Sequence, residues 1–229
     1  MEDRVASGDP IHPSPAAAGD TPNRPDCVRD LMGDMSIPTA HGRPDTRPGS
    51  IEVRRLDPVA FRARLQELMG IYLTAMHYPV ELAGARAVLW EEHSRRDGFD
   101  CVVGVGGDDR VHGLAYGYRG APGQWWYSEV RRGAAADALP QLADFFELTE
   151  LHVHPAWQGR RLGETLLRRL ADDRPERSML LSTPEGENRA WRLYRRLGFG
   201  DVLRNYRFTG DPRPFGVLGR DLPLAPPTG

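Results

Sequence analysis

Apolar and polar residues alternate along residues 145–153, and from Leu162 onward the apolar positions recur with the helical period. The alternation, together with β-favouring residue types, predicts a strand. Pro155 ends that strand because it has no backbone N–H to give to a ladder. Leu162, Leu166 and Leu170 fall on one face of the helix that follows. A short Gly/Arg loop is therefore predicted to join a strand to a helix.

The loop before this helix has the chemistry of an anion-binding site. The first amide N–H groups of a helix lack intrahelical acceptors, and the helix dipole adds positive potential there. Arg160 and Arg161 are placed to reinforce these donors with charge-assisted contacts to phosphate. Gly159 and Gly163 allow ligand oxygens to approach the main chain closely. The loop matches neither of the common glycine-rich nucleotide-binding fingerprints.

The same two periods predict the other elements. Strands are expected at residues 51–56, 101–105, 111–118, 178–182, 201–208 and 215–222, with a tight turn at residues 106–109. Helices are expected from Pro58 to a break at residues 77–79, at 80–95, from Leu162, and at 187–197, where Gly198 ends the last one. Residues 120–142 are predicted to be a connection.

Composition divides the chain into a tail and one domain. Residues 1–49 are rich in Pro, Gly, Asp and Arg and carry no sustained apolar period, so they are predicted to be a disordered N-terminal tail. Residues 50–222 are predicted to form one domain, and 223–229 a C-terminal tail. The domain has an ordinary length for a single hydrophobic core.

Charge and hydropathy exclude several classes of function. The net charge is −2 with 27% charged residues, so no basic field favours nucleic acid. No apolar run is long enough to cross a membrane, and the N-terminus does not resemble a signal peptide. We therefore expect a cytoplasmic protein without a membrane partner. Cys27 and Cys101 do not suggest a disulfide framework.

Two motifs resemble those of the GCN5-related N-acetyltransferases, the GNAT superfamily. Residues 158–163, Gln-Gly-Arg-Arg-Leu-Gly, resemble the acyl-CoA loop of that family, with Arg161 in place of the inner glycine. If the backbone needs a positive φ there, Arg161 carries a strain cost. Residues 188–199 resemble the second signature, in which Tyr194 follows Asn188 and a Leu-Gly-Phe ends the helix. The order of the elements is also that of the family.

The resemblance implies an α/β fold with a mixed, mostly antiparallel sheet, a splayed central strand pair and four flanking helices. It implies acetyl-CoA as co-substrate, with its pyrophosphate on the loop and its pantetheine arm along the preceding strand, where the Val153 N–H polarises the thioester carbonyl. Asn188 contacts the cofactor or caps its own helix. The implied cofactor-binding residues are Leu151, His152, Val153, Gln158, Gly159, Arg160, Arg161, Leu162, Gly163, Glu164 and Asn188.

The implied acid and base are Tyr194 and Glu147. Tyr194 matches the family tyrosine that protonates the departing thiolate, although its helical phase also suits a core residue. Glu147 stands where the histone-modifying branch has its base. On an ideal strand Glu147 shares a face with Leu151, on the cleft side, while Glu150 and His152 lie opposite unless a bulge intervenes. Glu150 and His152 are therefore the alternatives for the base.

The acceptor is expected to be a small-molecule or peptide amine. Tyr78, Trp125, Trp126 and Tyr127 are candidates for its pocket, although the three consecutive aromatic residues also suit a core. No metal is expected, because the His152 and His154 pair lacks further ligands at matching spacing. A homodimer is left open. The alternatives are a catalytically silent CoA-binding module and, disfavoured by the weak net charge, a toxin that acetylates aminoacyl-tRNA.

Overall fold

A computed structural model describes residues 51–225. The predicted tail at residues 1–49 and the last four residues of the chain lie outside this range. In the described range no helix is long and apolar enough to cross a membrane.

Seven strands form one sheet within residues 51–225. They are β1 (Glu52–Leu56), β2 (Asp100–Val105), β3 (Val111–Arg119), β4 (Phe145–Val153), β5 (Ser178–Pro184), β6 (Gly200–Tyr206) and β7 (Phe215–Asp221). The order in the sheet is β1-β2-β3-β4-β5-β7-β6. All neighbours are antiparallel except β4 and β5, which are parallel. The mixed, mostly antiparallel sheet is confirmed.

Six α-helices flank the sheet in the same range. They are α1 (Pro58–Ala63), α2 (Leu65–Met76), α3 (Ala83–His93), α4 (Trp125–Gly133), α5 (Leu162–Ala171) and α6 (Arg189–Arg196). Short 3-10 segments precede α3, β4 and the turn before α5. Helices α5 and α6 bury their apolar side chains against one face of the sheet. Helices α1 to α3 pack on the opposite face, and α4 packs next to them on that same face.

The prediction of four helices differs from the structure in two places. The first predicted helix is divided at Arg64, whose φ of −100° and ψ of 6° leave the helical region. Helix α4 occupies part of the predicted connection at residues 120–142. Trp126 and Val130 are one helical turn apart and both buried, so packing against the sheet makes this segment a helix. The run of three aromatic residues concealed that spacing.

The two central strands separate after a short paired stretch, as predicted. In the part of the chain described, β4 and β5 pair at three positions, from Phe145 opposite Ser178 to Glu147 opposite Leu180. Beyond these residues the strands diverge, and the rest of β4 presents an edge to the gap. This splay opens the sheet at its centre.

A bulge in β4 changes the side-chain pattern that the sequence predicts. Tyr116 of β3 lies opposite Glu150 and Gly117 lies opposite Leu148, so Thr149 is an extra residue in the β3–β4 ladder. Strict alternation is therefore broken, and the predicted sharing of a face by Glu147 and Leu151 is wrong. Leu148 and Leu151 pack toward α5 and α6, whereas Glu147 and Glu150 project toward the α1–α3 face.

Candidate active site

A cleft of about 490 Å³ begins at the splay and runs to the start of α5. Its walls come from the end of β4, the turn before α5, and the facing side of α6. Ala75 of α2 also lines it, so the cleft reaches the helix layer on the other side of the sheet. Its remaining lining residues are Leu151, Val153, Trp157, Gln158, Gly159, Arg161, Leu162, Gly163, Glu164, Arg189, Ala190, Arg192, Leu193, Tyr194 and Arg196.

The turn before α5 has the backbone geometry that an anion site requires. Gly159 and Arg161 both adopt positive φ, at 76° and 61°. Arg161 therefore adopts the left-handed conformation, which costs energy for a residue other than glycine. It is the N-cap of α5, and its side chain makes no capping hydrogen bond. The first N–H groups of α5 point into the cleft end without an intrahelical acceptor.

Arginines outnumber acids around this end of the cleft. Arg161, Arg189, Arg192 and Arg196 line it together with a single carboxylate, Glu164. Arg196 and Arg168 bind that carboxylate at 2.9 and 3.1 Å, and hydrogen bonding to Arg196 lowers its pKa. Arg189 is held by Gln158 Oε1 at 2.6 Å. The surplus of cations, added to the helix N-terminus, favours a ligand with phosphate groups.

The edge of β4 inside the splay offers backbone groups to a ligand. His154 N donates to His112 O at 2.8 Å, so the adjoining pair of Val153 and Gly113 is of the kind that makes no ladder bonds. The N–H of Val153, and of Leu151 two residues earlier, therefore points away from β3 and into the gap. Gln158 Nε2 donates to Val153 O at 3.0 Å, which fixes this edge to the anion-binding turn.

The Tyr194 side chain lies in the cleft wall with an unsatisfied hydroxyl. Tyr194 is fully buried, and its oxygen has no hydrogen-bond partner among the described residues. Burial raises the pKa of this phenol, and the nearby Glu150 carboxylate raises it further. The hydroxyl is therefore protonated at neutral pH and available as a hydrogen-bond donor. Tyr194 thus lines the cleft, and its role as the acid stays a prediction.

Glu147 lies on the opposite face, at the last paired position of β4 and β5. Tyr118 donates to its Oε1 at 3.2 Å, while Oε2 is buried with no partner in the described structure. Burial raises the pKa of Glu147 to about 7, and the charge of Arg96 opposes that rise. A carboxyl group that titrates near neutral pH suits proton transfer.

Glu150 and His152 form a buried pair on the same face as Glu147. Nε2 of His152 lies 2.5 Å from Glu150 Oε2, and Trp90 Nε1 donates to Glu150 Oε1 at 3.2 Å. The His152 ring meets the Tyr72 ring edge-on at 5.0 Å. Its backbone belongs to the β3–β4 ladder, so neither the side chain nor the main chain of His152 faces the cleft as the cofactor-binding prediction required.

The candidate acceptor residues lie elsewhere. Trp126 donates to Ser182 Oγ at 3.1 Å, Tyr127 stacks on Phe145, and Trp125 packs against Phe208. These are core contacts around α4.

Three other predicted residues do not line the cleft themselves. Tyr78 packs against Tyr72 and bonds Arg213 of the β6–β7 connection. Asn188 caps α6 through Trp191 N at 3.0 Å, and Arg160 covers the Trp157 ring.

Sequence reasoning missed several residues that line the cleft. Arg189 and Arg192 face it from α6. Trp157 lines it from the turn after β4 and is stacked between His112 and Arg160. The usable signal was position: Trp157 directly precedes the Gln-Gly-Arg motif, and Arg189 and Arg192 lie on the helix that carries Tyr194.

No group of three or more metal-ligating side chains converges anywhere in residues 51–225. The expectation that the protein needs no metal stays a prediction.

Fold and cleft together define a GNAT-type α/β protein, with a splayed sheet and an anion-binding turn at its centre. Residues 123–200 match the family model described as an acetyltransferase (GNAT) domain. The chain is also 46% identical to the GCN5-like protein acetyltransferase Rv2170 of Mycobacterium tuberculosis, over 199 residues that cover 74% of this chain and 97% of that protein. The chain belongs to the GNAT family of acetyltransferases, as predicted, and is an enzyme of that class.

Solved structures of low sequence identity show the same fold. The ribosomal-protein-S18-alanine N-acetyltransferase of Escherichia coli superposes with a TM-score of 0.52 at 17% identity, covering 77% of this chain and 97% of that one. An aminoglycoside 6′-N-acetyltransferase complexed with coenzyme A gives a TM-score of 0.53 at 15% identity, covering 77% and 99%. Acetyl-CoA-dependent N-acetylation is the general reaction of the family.

Proposed function

We propose that the protein transfers an acetyl group from acetyl-CoA to an amine on a protein, with both substrates bound at once. One observation carries the proposal: the unpaired Tyr194 hydroxyl lies in the wall of a cleft whose other end is a free helix N-terminus. The turn before α5 at one end of the cleft can bind phosphate, and the Tyr194 hydroxyl in the cleft wall can donate a proton. Acetyl-CoA, a thioester that also carries a diphosphate, requires both functions.

The residues present fit acetyl-CoA. The first N–H groups of α5 and the side chains of Arg161 and Arg192 hold the diphosphate. The free backbone edge at Leu151 and Val153 binds the amide groups of the pantetheine arm, as an added strand would. Acetyl-CoA supplies an activated thioester when bound. The Val153 N–H adjoins the anion-binding turn, so it contacts the arm near the diphosphate, and the thioester lies further along β4, toward the residues where β4 and β5 begin to separate.

Tyr194 is the proposed proton donor to sulfur. Its hydroxyl is buried, protonated and without a partner inside the described residues, so it is free to donate to a group placed in the cleft. The proton acceptor for the amine is proposed to lie on the α1–α3 face of β4, which carries the predicted base Glu147 and its alternatives Glu150 and His152.

Direct attack by the amine is favoured over an acetylated cysteine. Cys101 is fully buried on the α1–α3 side of the sheet, and burial raises the pKa of its thiol well above the usual range. The cysteine that the structure describes is therefore unsuited to act as a nucleophile.

A protein acceptor is preferred because the relative of 46% identity is named a protein acetyltransferase. The test is thiol release from acetyl-CoA in the presence of lysine-containing proteins, peptides with free amino termini, and small amines. We expect saturable release with a protein or peptide amine, together with acetylation of that acceptor by mass spectrometry. Release with small amines alone would contradict the proposed acceptor.

The same assay separates the enzyme from a silent CoA-binding module. A module binds coenzyme A in calorimetry yet releases no thiol with any acceptor. An acetyl group found on the protein itself after incubation with acetyl-CoA alone would contradict direct attack.

A further inference from the structure

One small side chain reaches the cleft from the far side of the sheet. Among the described residues that line the cleft, Ala75 alone comes from the α1–α3 layer. Ala75 is 5% exposed, so it lies inside the molecule and not at the rim of the cleft. Because β3 and β4 are paired along the whole of β4, the cleft reaches α2 through the gap between β4 and β5. Ala75 therefore closes the inner end of that passage.

The direction of α2 places Ala75 away from the anion-binding turn. Near the start of α2, Glu67 accepts a hydrogen bond from Val111 N at 2.8 Å, at the beginning of β3 and hence beside the end of β4. Further along the helix, the Tyr72 ring meets the ring of His152, within β4, at 5.0 Å. Ala75, one turn beyond Tyr72, therefore lies toward the residues where β4 and β5 begin to separate.

The residue pattern of α2 changes where the sheet opens. Leu68, Tyr72 and Ala75 follow one another at helical spacing, and all three are buried. Leu68 and Tyr72 belong to the apolar cluster that fills the space over the paired strands. At the next turn the helix carries only a methyl group, and the sheet beneath it is open. A larger side chain there would fill the opening, so alanine keeps it free.

The wall that Ala75 forms is held rigidly in place. Its large neighbours on α2, Tyr72 and Met76, are both buried. The Tyr72 ring makes edge-on contacts with three other rings, those of Tyr78, Trp90 and His152. A helix packed in this way cannot move back to admit a longer ligand, because close-packed interiors transmit a change in volume.

The proposed binding mode of acetyl-CoA brings its acyl group to this passage. The thioester lies beyond the arm, toward the opening of the two strands, and the Tyr194 hydroxyl reaches the sulfur from the α6 side. The arm itself occupies the α5–α6 side of the gap. The acyl carbons follow the sulfur, so they enter the gap and point toward α2.

We propose that Ala75 limits the size of the acyl group and makes the protein selective for acetyl over longer acyl donors. This inference rests on the proposed acetyl transfer. The methyl group of Ala75 meets the end of an acetyl group in the gap, and one more methylene overlaps with it. In an apolar pocket one methylene changes discrimination by roughly 10- to 200-fold.

Calorimetric titration with coenzyme A, acetyl-CoA and propionyl-CoA tests the inference without an acceptor. Coenzyme A carries no acyl group, so its affinity reports the rest of the cleft. We expect the wild type to bind propionyl-CoA about 10-fold or more weakly than acetyl-CoA. Ala75→Gly removes one carbon and should bring these two Kd values within about 2-fold of each other. Ala75→Val should weaken acetyl-CoA by about 10-fold or more and leave coenzyme A unchanged.

Thr74 and Ala190 provide matched controls. Thr74 is exposed on the same helix and does not line the cleft, so Thr74→Gly and Thr74→Val make similar backbone changes without touching the passage. Both should keep the wild-type ratio of affinities. Ala190 lines the cleft from α6, on the side of the arm. Ala190→Val should weaken all three ligands alike, because coenzyme A shares the arm.

The inference is overturned if the wild type binds acetyl-CoA and propionyl-CoA equally, or if Ala75→Gly keeps the wild-type ratio. An equal loss of coenzyme A and acetyl-CoA affinity in Ala75→Val would also overturn it, since Ala75 would then border the arm. Circular dichroism shows whether Ala75→Val folds, and Ala75→Gly decides the matter if it does not. A wild type that binds none of the three ligands refutes the proposed acetyl transfer and this inference together. Binding of all three with no dependence on the acyl group refutes this inference alone.

Discussion

The two faces of β4 differ in the chemistry that they carry. On the α5–α6 side the strand borders a cleft whose far end is lined by arginines and a free helix N-terminus, and the phenol of Tyr194 lies in its wall. On the α1–α3 side it carries buried acid–base groups, Glu147, Glu150 and His152, packed among aromatic rings. The splay is where these two environments meet.

This difference depends on one extra residue. Without the bulge at Thr149, strict alternation would place Glu147 on the cleft side with Leu151. The bulge instead keeps Leu148 and Leu151 in the core below α5 and α6 and gathers the ionisable side chains on the other face. The separation of the cleft from the buried ionisable side chains is therefore a property of local backbone geometry.

The largest expected effect is a loss of activity when Tyr194, in the wall of the cleft, is substituted. Tyr194→Phe removes the hydroxyl without changing the packing of the ring. We expect kcat to fall by about 10²- to 10⁴-fold, the usual range for a general acid, with little change in the KM for acetyl-CoA. Thiol-release kinetics measure both constants.

Tyr127→Phe is the matched control, because its ring stacks on Phe145 in the α4 core and does not line the cleft. It should leave kcat unchanged. Equal activity of Tyr194→Phe and the wild type would assign Tyr194 to the core alone.

The role of the bulge can be tested by substituting Gly117, which lies opposite it on β3. A Cβ at this position would lie 2.0 Å from Glu147 O and 2.6 Å from the Phe146 ring, so the two strands cannot keep their present separation. We expect Gly117→Ala to lower the free energy of unfolding by about 3 kcal/mol or more. Urea denaturation measures this loss.

Gly107→Ala is its control, since nothing lies within 4 Å of a Cβ there. A Gly117→Ala protein as stable as the Gly107→Ala protein would mean that the close approach at the bulge is not required.

The buried carboxyl group of Glu147, on the α1–α3 side of β4, should make the free energy of unfolding depend on pH. The pKa of Glu147 is raised by burial from 4.5 to about 7, so the folded state keeps a proton that the unfolded state loses between these values. Stability from this group is therefore highest below pH 4.5 and falls as the pH rises to about 7. Glu147→Gln should be more stable than the wild type by up to about 3 kcal/mol at pH 8, with little difference at pH 4.

For Glu185 the dependence of stability on pH is expected to have the opposite sign. Hydrogen bonds from Arg204 lower its pKa, so it stabilises the fold above the unfolded pKa and the stabilisation is lost as the pH falls. Glu185→Gln should therefore be destabilising at pH 8. Unfolding curves at both pH values test the pair, and a Glu147→Gln variant with no gain at pH 8 would contradict the burial of that charge.

The smallest effect is expected at the anion-binding turn. Arg161→Ala and Arg161→Gly remove the same charge, but alanine keeps the unfavourable left-handed backbone at φ of 61°. We expect the glycine variant to be more stable than the alanine variant by about 1 kcal/mol. Thermal unfolding compares them, and an alanine variant of equal or greater stability would argue that the turn relaxes to another conformation.

Most of the fold was predictable because it depends on patterns that the sequence displays. The change of period between Val153 and Leu162 placed the central strand and helix, and Pro155 marked their boundary. The segment at Trp125 was not predictable in this way. Its helix is stabilised by tertiary packing against the sheet, which local propensity does not encode.

The candidate site was predictable at the turn and at Tyr194, and less so on β4. Arg161 stood out because a side chain occupies a position where the motif has glycine, and the structure gives it the positive φ. The face of Glu147 could not be deduced, since a one-residue bulge reverses every later side chain. A bulge has no reliable signature in residue types, although Gly117 opposite it is consistent with close approach.

Calorimetric titration with coenzyme A tests the central claim most directly, when wild type is compared with Gly163→Phe. Gly163 lines the cleft at the first turn of α5, and a Cβ there meets its nearest neighbours at an ordinary 3.7 Å, so a larger ring would project into the ligand space. The account predicts saturable binding of one equivalent by the wild type and no binding by the equally folded variant. Absence of binding by the wild type, or equal binding by both proteins, would contradict it.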